Sequence, residues 1–164
     1  MTAQRRELKA WRRRIALIAL LATAGVPALS LAATTERVVA NRFTGLALSG
    51  FDPVAYFTDA RPMLGIADYE LSKEGVVWRF RNEGNRASFA AYPAIYGPQF
   101  GGYDPVDAAR GVAYAGNPQI WLILENRLYL FGREESRDAF AASPANFLKQ
   151  ARKRWPGVQE TMSQ

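Results

Sequence analysis

"WRFRNEGNRASFAAYPAIY" at residues 78–96 and "YLFGREESRDAFAASPANF" at residues 129–147 decide the fold, because they align at an offset of 51 residues. Upstream, "GFDPVA" at 50–55 matches "GYDPVD" at 102–107 at an offset of 52. A shared order of turn, strand end and helix indicates an internal repeat. The sequence therefore predicts two units, at about 50–100 and 102–150, that arose by duplication and share one core.

Each unit predicts the same order of elements, which makes the fold class α+β. Asp52-Pro53 and Asp104-Pro105 are predicted helix starts, because Asp caps free amides and Pro fits the first helical position. A β-hairpin follows in each unit, with strands rich in β-branched and aromatic residues around a polar tip. A helix then follows each hairpin, and Pro93 or Pro144 ends it and begins another. The predicted strands are 68–72, 76–80, 120–124 and 127–131.

Residues 1–32 are predicted to be a signal peptide. A basic segment precedes an apolar run broken by Gly25 and Pro27, and Ser30 to Ala32 supply the small residues of a cleavage site. Arg5-Arg6 is compatible with twin-arginine export, and an uncleaved membrane anchor is the alternative. We expect a periplasmic or secreted protein, with a linker at 33–45, a domain at 46–157 and a tail at 158–164.

Composition excludes several chemistries. The net charge is +6, but residues 1–32 hold six basic side chains against one acidic one, so the rest of the chain carries a net charge of only one. A nearly neutral exported domain is not expected to bind nucleic acid. The chain contains no cysteine and no histidine, which excludes disulfides, the usual zinc, iron–sulfur and haem ligands, and any Ser-His-Asp system. We predict no enzyme and no cofactor.

Three blocks together resemble the exported YHS-domain proteins of bacteria: "SGFDPVAYFTDARPMLG", "WRFRNEGNRASFAAYPAIYGPQFGGY" and "FLKQARKRWPG". The resemblance covers about residues 46–157 and implies a small binding domain, with metal binding suspected in the wider family. In that family a Cys usually follows Gly-Gly-Tyr, whereas Asp104 stands there in this chain, and the Tyr-His-Ser triad cannot be intact without His.

The candidate site residues are two acids and three tyrosines beside turns. Asp52 and Asp104 are interpreted as helix caps, with the alternative that Asp104 ligates a hard cation together with Asp52 or Asp107. Tyr56, Tyr103 and Tyr114 are predicted to lie in the core or at its boundary, or to line a pocket between the two units. A basic cluster at 149–154 is assigned to the end of the last helix, with a membrane surface as the alternative contact.

These observations predict an exported, non-enzymatic YHS-type binding or accessory domain. Its ligand or protein partner is not identified by the sequence, and no stable membrane insertion is expected after cleavage. A metal-binding or metal-handling protein is the alternative, which the family resemblance favours and the absence of Cys and His opposes. A small hydrolase is disfavoured, since no nucleophile and base can be assembled.

Overall fold

Helices and two antiparallel β-hairpins make up the part of the chain that the computed structural model describes, residues 37–162, so the fold is α+β. We call residues 47–96 the first half and residues 98–162 the second half. The first half contains α1 (Ala55–Thr58), β1 (Ile66–Lys73), β2 (Val76–Phe80), α2 (Glu83–Ala91) and α3 (Pro93–Tyr96). The second half contains α4 (Pro105–Ala108), β3 (Asn117–Leu124), β4 (Arg127–Phe131), α5 (Glu134–Ala142) and α6 (Pro144–Met162).

The two hairpins have the same register at an offset of 51. Leu71 pairs with Trp78 in the first, and Leu122 pairs with Tyr129 in the second. Each hairpin also shifts register at the same place, between Ile66 and Glu70 and between Asn117 and Trp121. The strands β1 and β3 begin at Ile66 and Asn117, whereas the sequence predicts that they begin at residues 68 and 120. The extra residues lie at the register shift.

Each half also begins with the same left-handed turn. Gly50 and Gly102 have φ of +88° and +90°, and each follows another residue with positive φ, Ser49 or Gly101. At Gly101 the chain comes so close to the Arg37 carbonyl that an added Cβ would lie 1.8 Å from its oxygen. The close approach at Gly101 and the positive φ of both residues explain why glycines stand at 101 and 102.

The predicted helix boundaries hold at both prolines and at Asp104. The helices α3 and α6 begin at Pro93 and Pro144, directly after α2 and α5, and α4 begins at Pro105. Asp52 differs, because α1 begins only at Ala55 and a turn separates them. The Asp-Pro pair thus starts a helix in the second half and a turn that leads into one in the first.

Phe89 and Phe140 are equivalent buried anchors, as the alignment predicts, with 1% and 0% exposure. Phe89 packs on Phe80 with ring centroids 5.3 Å apart, and Phe140 packs on Phe131 at the same distance. A second aromatic from the same strand completes each group, Trp78 at 4.6 Å in the first and Tyr129 at 5.1 Å in the second.

The buried side chains form separate clusters rather than the single shared core that the sequence predicts. The strand β4 joins them, because successive residues of a strand point to opposite faces. Leu128 and Leu130 pack with the first half, while Tyr129 and Phe131 pack with α5 and α6.

Both ends of the predicted domain are extended by packing. Val38, assigned to a linker, is 5% exposed and lies in the first cluster, and the Val39 amide donates to the Gly101 carbonyl at 2.8 Å. The predicted tail from residue 158 is instead the last part of α6, where Val158 is 4% exposed.

The predicted signal peptide lies outside the described residues. Among residues 37–162, no helix has the length and apolar character needed to cross a bilayer.

Candidate binding site

Asp52 is fully buried and ties three elements together. Its Oδ1 accepts from the Val54 amide at 2.8 Å, which caps the turn before α1. Its Oδ2 accepts from the Arg81 backbone amide at 2.8 Å, just after β2, and from the Asn85 side-chain amide of α2 at 2.6 Å. Hydrogen bonds to an ionised carboxylate are stronger than those between neutral groups, so this residue fixes the turn, strand and helix relative to one another.

Asp104 has the equivalent role in the second half. It is fully buried, and its Oδ1 accepts from the Val106 amide at 2.8 Å, which confirms the predicted cap of α4. Its Oδ2 accepts from the Gly132 amide, also at 2.8 Å, just after β4. Both oxygens of each Asp therefore accept hydrogen bonds from backbone or side-chain amides. The capping interpretation predicted the bond to Oδ1 but not the bonds that Oδ2 accepts from the segment after the hairpin.

Asp107, the third acid considered as a ligand, is 6% exposed and lies between two arginines. Its Oδ2 is 2.7 Å from Arg133 Nη2, and its Oδ1 is 3.2 Å from Arg110 Nη1. Within residues 37–162, no group of three or more acidic side chains is arranged to hold a metal ion.

Tyr56 is a buried contact between the two halves. Its hydroxyl donates to the Pro118 carbonyl at 2.8 Å, and its ring meets Trp121 edge-on with centroids 5.4 Å apart. Burial raises the pKa of the Tyr56 phenol well above its ordinary value, and the nearby Asp52 carboxylate raises it further. Tyr56 thus remains a neutral donor at physiological pH.

Tyr103 and Tyr114 lie in the second half. Tyr103 is 7% exposed, and its ring centroid is 5.6 Å from that of Trp155. Tyr114 is 45% exposed, and the Arg133 guanidinium stacks on its ring at 5.1 Å. The Tyr114 ring also lies against the Gly132 backbone, so closely that a Cβ on Gly132 would be 2.2 Å from it.

A cleft of about 380 Å³ does lie between the two halves, but other aromatic residues line it. Its walls include Trp78 and Phe89 from the first half, and Phe100 and Trp155 from the second. None of the five predicted site residues lines this cleft or either of two further grooves at the surface of residues 37–162. Trp78 and Phe89 are 2% and 1% exposed, so little of their apolar surface is open to a ligand.

An apolar groove of about 490 Å³, formed by the first half together with Gln119 of β3, is a stronger candidate site. Leu64 and Ile66 in its wall are 61% and 47% exposed, and Arg81 and Gln119 supply the polar side chains at its edge. The Arg81 guanidinium pairs with no carboxylate among residues 37–162. The full lining is Phe51, Pro62, Met63, Leu64, Ile66, Arg81 and Gln119; we call it the first-half groove.

The same place in the second half is closed. Met63 and Tyr114 are equivalent, because their carbonyls accept from the amides of Asp52 and Asp104. Arg81 and Gly132 are likewise equivalent, because their amides donate to those two Asp side chains. In the second half the Tyr114 ring covers the glycine, whereas in the first half a methionine and an arginine leave a groove.

Sequence reasoning missed this groove because Leu64 and Ile66 precede the predicted strand at 68–72 and were given no role. The alignment did hold a signal: offset by 51, these two residues correspond to Ala115 and Asn117, which are small or polar. Comparison of the chain with protein-family models, with curated proteins and with solved structures finds no match. The function is therefore argued from the geometry of the site.

Proposed function

We propose that this protein is an exported, non-enzymatic binding domain of YHS type that holds a small apolar molecule with one anionic group in the first-half groove. The observation that carries the proposal is the exposed apolar wall beside Arg81, which pairs with no carboxylate among residues 37–162. The same position in the second half is filled by the chain's own tyrosine.

The apolar part of the ligand follows from the exposed wall. Leu64 and Ile66 keep roughly half or more of their surface in water, and Met63 and Phe51 adjoin them. Removing such surface from water contributes about 25 cal/mol for each Å² buried. A ligand with an apolar body would therefore gain affinity from the wall alone.

The anionic part follows from Arg81. A guanidinium binds carboxylate, phosphate or sulfate through two parallel hydrogen bonds. Arg79, two residues earlier in the chain, pairs with Glu70 at 2.7 Å, whereas the Arg81 guanidinium at the groove edge has no such partner among residues 37–162. The Gln119 amide lines the same groove and can donate to the same ligand group.

A binding role fits the acids better than catalysis or metal binding. Asp52 and Asp104 each use both carboxylate oxygens to hold backbone or amide donors, and Asp107 is paired with two arginines. A buried carboxylate that already holds structural partners is poorly placed to act as a base or a metal ligand.

Binding of decanoate, decanol and decyltrimethylammonium to the protein tests the proposal. These probes share an apolar chain and differ in charge, and a ligand of the folded state raises the melting temperature. We expect decanoate to raise it most. In Leu64→Ala/Ile66→Asn, which installs the corresponding residues of the second half, the shift should disappear.

In Arg81→Gln, the rise in melting temperature with decanoate should fall to the rise seen with decanol. Arg61 is exposed and lies outside the groove, so Arg61→Gln should behave as wild type. Equal shifts for all three probes in the wild type would rule out the anionic ligand. A decanoate shift that survives the double substitution would place binding elsewhere.

A further inference from the structure

A basic face on α6 is not explained by the first-half groove or by the fold. Residues 33–164 carry a net charge of only +1, with fifteen basic side chains. Four of these fifteen lie within the six residues 149–154. Lys149, Arg152, Lys153 and Arg154 are all exposed. A charge set so concentrated gives the domain a positive side despite its near neutrality.

The helix dipole does not account for this face. The sequence predicts that these cations stand at the end of the last helix, but α6 runs on to Met162. Arg154 is therefore eight residues from the carboxyl end, and the last turn contains no basic residue. The dipole acts within the terminal turn, so it contributes little at residues 149–154.

Internal pairing does not account for it either. None of Lys149, Lys153 and Arg154 forms an ion pair with a carboxylate in residues 37–162. Arg154 Nη1 makes only a long hydrogen bond of 3.5 Å to the Arg110 carbonyl, and Arg152 reaches the Tyr129 side chain. Lys149 and Lys153 are four residues apart on one helix, and like charges at that spacing destabilise it. The fold thus keeps an unfavourable charge arrangement that an external anion would relieve.

The cations converge on a shallow groove. Lys149, Gln150, Lys153 and Arg154 line a depression of about 420 Å³ along α6, which we call the basic groove. Three positive charges and one amide donor around a shallow space match the phosphate group of a lipid headgroup. Because this groove lies along an exposed helix side, several headgroups of a flat surface can reach it at once.

We propose that the basic groove docks the protein on a bilayer surface that contains anionic phospholipids. The inference assumes the proposed export, and it is independent of ligand binding in the first-half groove. Each Lys or Arg near an anionic membrane contributes modestly, and the contribution falls off within a Debye length, so docking is reversible and sensitive to salt.

The test is co-sedimentation of the full chain with vesicles of phosphatidylcholine alone and of equal parts phosphatidylcholine and phosphatidylglycerol. The variant Lys149→Gln/Lys153→Gln/Arg154→Gln is compared with Arg42→Gln/Arg61→Gln/Lys73→Gln, which loses the same charge outside the basic groove. Both variants keep the basic residues of segment 1–32, so any contribution of that segment to binding is the same in the two.

We expect wild type and the control to prefer the anionic vesicles, and the α6 variant to bind them about tenfold or more weakly. Added salt should reduce this difference. Equal binding by the two variants would overturn the proposal. Displacement from vesicles by millimolar inorganic phosphate would indicate a small-anion site, and binding to polyglutamate without binding to vesicles would indicate an acidic protein partner; either result overturns the membrane surface.

Discussion

The two halves of this protein share a framework and differ in what covers it. Both have a buried Asp that joins the first turn to the end of a hairpin, and both anchor a helix on that hairpin with a phenylalanine. In the second half, Tyr114 fills the space above Gly132, and Trp155 of α6 packs on Tyr103. In the first half, α3 is only four residues long and a groove remains open. The framework supports the fold, and the differences between the halves leave room for binding.

The largest effect should come from the aromatic anchors. We expect Phe89→Ala and Phe140→Ala each to lower the free energy of unfolding by about 3–5 kcal/mol, because each removes a buried ring from an aromatic group. Urea denaturation measures both. A large loss at one position with almost none at the other would show that the two anchors are not equivalent.

The buried acids should come next and should separate the halves. Asp104→Ala orphans two backbone amides and should cost about 2 kcal/mol. Asp52→Ala orphans three donors and should cost more, about 3 kcal/mol. Equal losses would mean that the extra bond from Asn85 contributes nothing.

Replacement of Asp104 by Asn distinguishes a simple cap from a clamp. The sequence alone predicts that Asp104→Asn is nearly silent, since Asn caps as well as Asp. The structure instead predicts a loss of about 1 kcal/mol, because an amide nitrogen would face either the Val106 or the Gly132 donor. The difference in melting temperature between wild type and Asp104→Asn should be the same with and without divalent ions. A difference that depends on metal would favour the alternative role of Asp104 as a ligand.

Tyr56→Phe should cost about 1 kcal/mol by removing the hydrogen bond to Pro118 that links the halves. Burial raises the pKa of Tyr56 in the folded state, so its stabilising contribution is complete below pH about 10, where the unfolded tyrosine titrates. As pH rises above that value, the contribution is lost. Tyr56→Phe should therefore lose less stability than wild type in alkaline solution, and parallel pH curves would contradict this.

The smallest effect on stability should come from copying the cover of the second half onto the first. Met63→Tyr/Arg81→Gly places a ring over a glycine in the first-half groove. It should change the free energy of unfolding by about 1 kcal/mol or less, because substitutions at the surface usually have small effects. Decanoate binding should be lost. If this variant binds decanoate as wild type does, the groove is not the binding site. Tyr114→Ala, the reciprocal control, should leave decanoate binding unchanged.

Much of the framework could be predicted from sequence because its signals are local. The prolines at 93 and 144 set two helix boundaries, and the runs of β-branched and aromatic residues around a polar tip predicted both hairpins. The irregularities before Glu70 and Trp121 were not predictable, because nothing in their side chains marks a register shift. The end of α6 was also missed, since Pro156 and Gly157 resemble a stop, yet Val158 beyond them is held by packing.

By itself, the sequence determined the fold class, the equivalence of Phe89 and Phe140, and the capping role of Asp104, because periodicity, aromatic position and Asp-Pro spacing are local properties. Only the tertiary structure decided which residues meet across 28 or 29 positions, as Asp104 meets Gly132 and Asp52 meets Arg81. It also decided that Leu64 is exposed while Leu128 is buried. Exposure depends on what the rest of the chain places above a residue, and no local pattern contains that information.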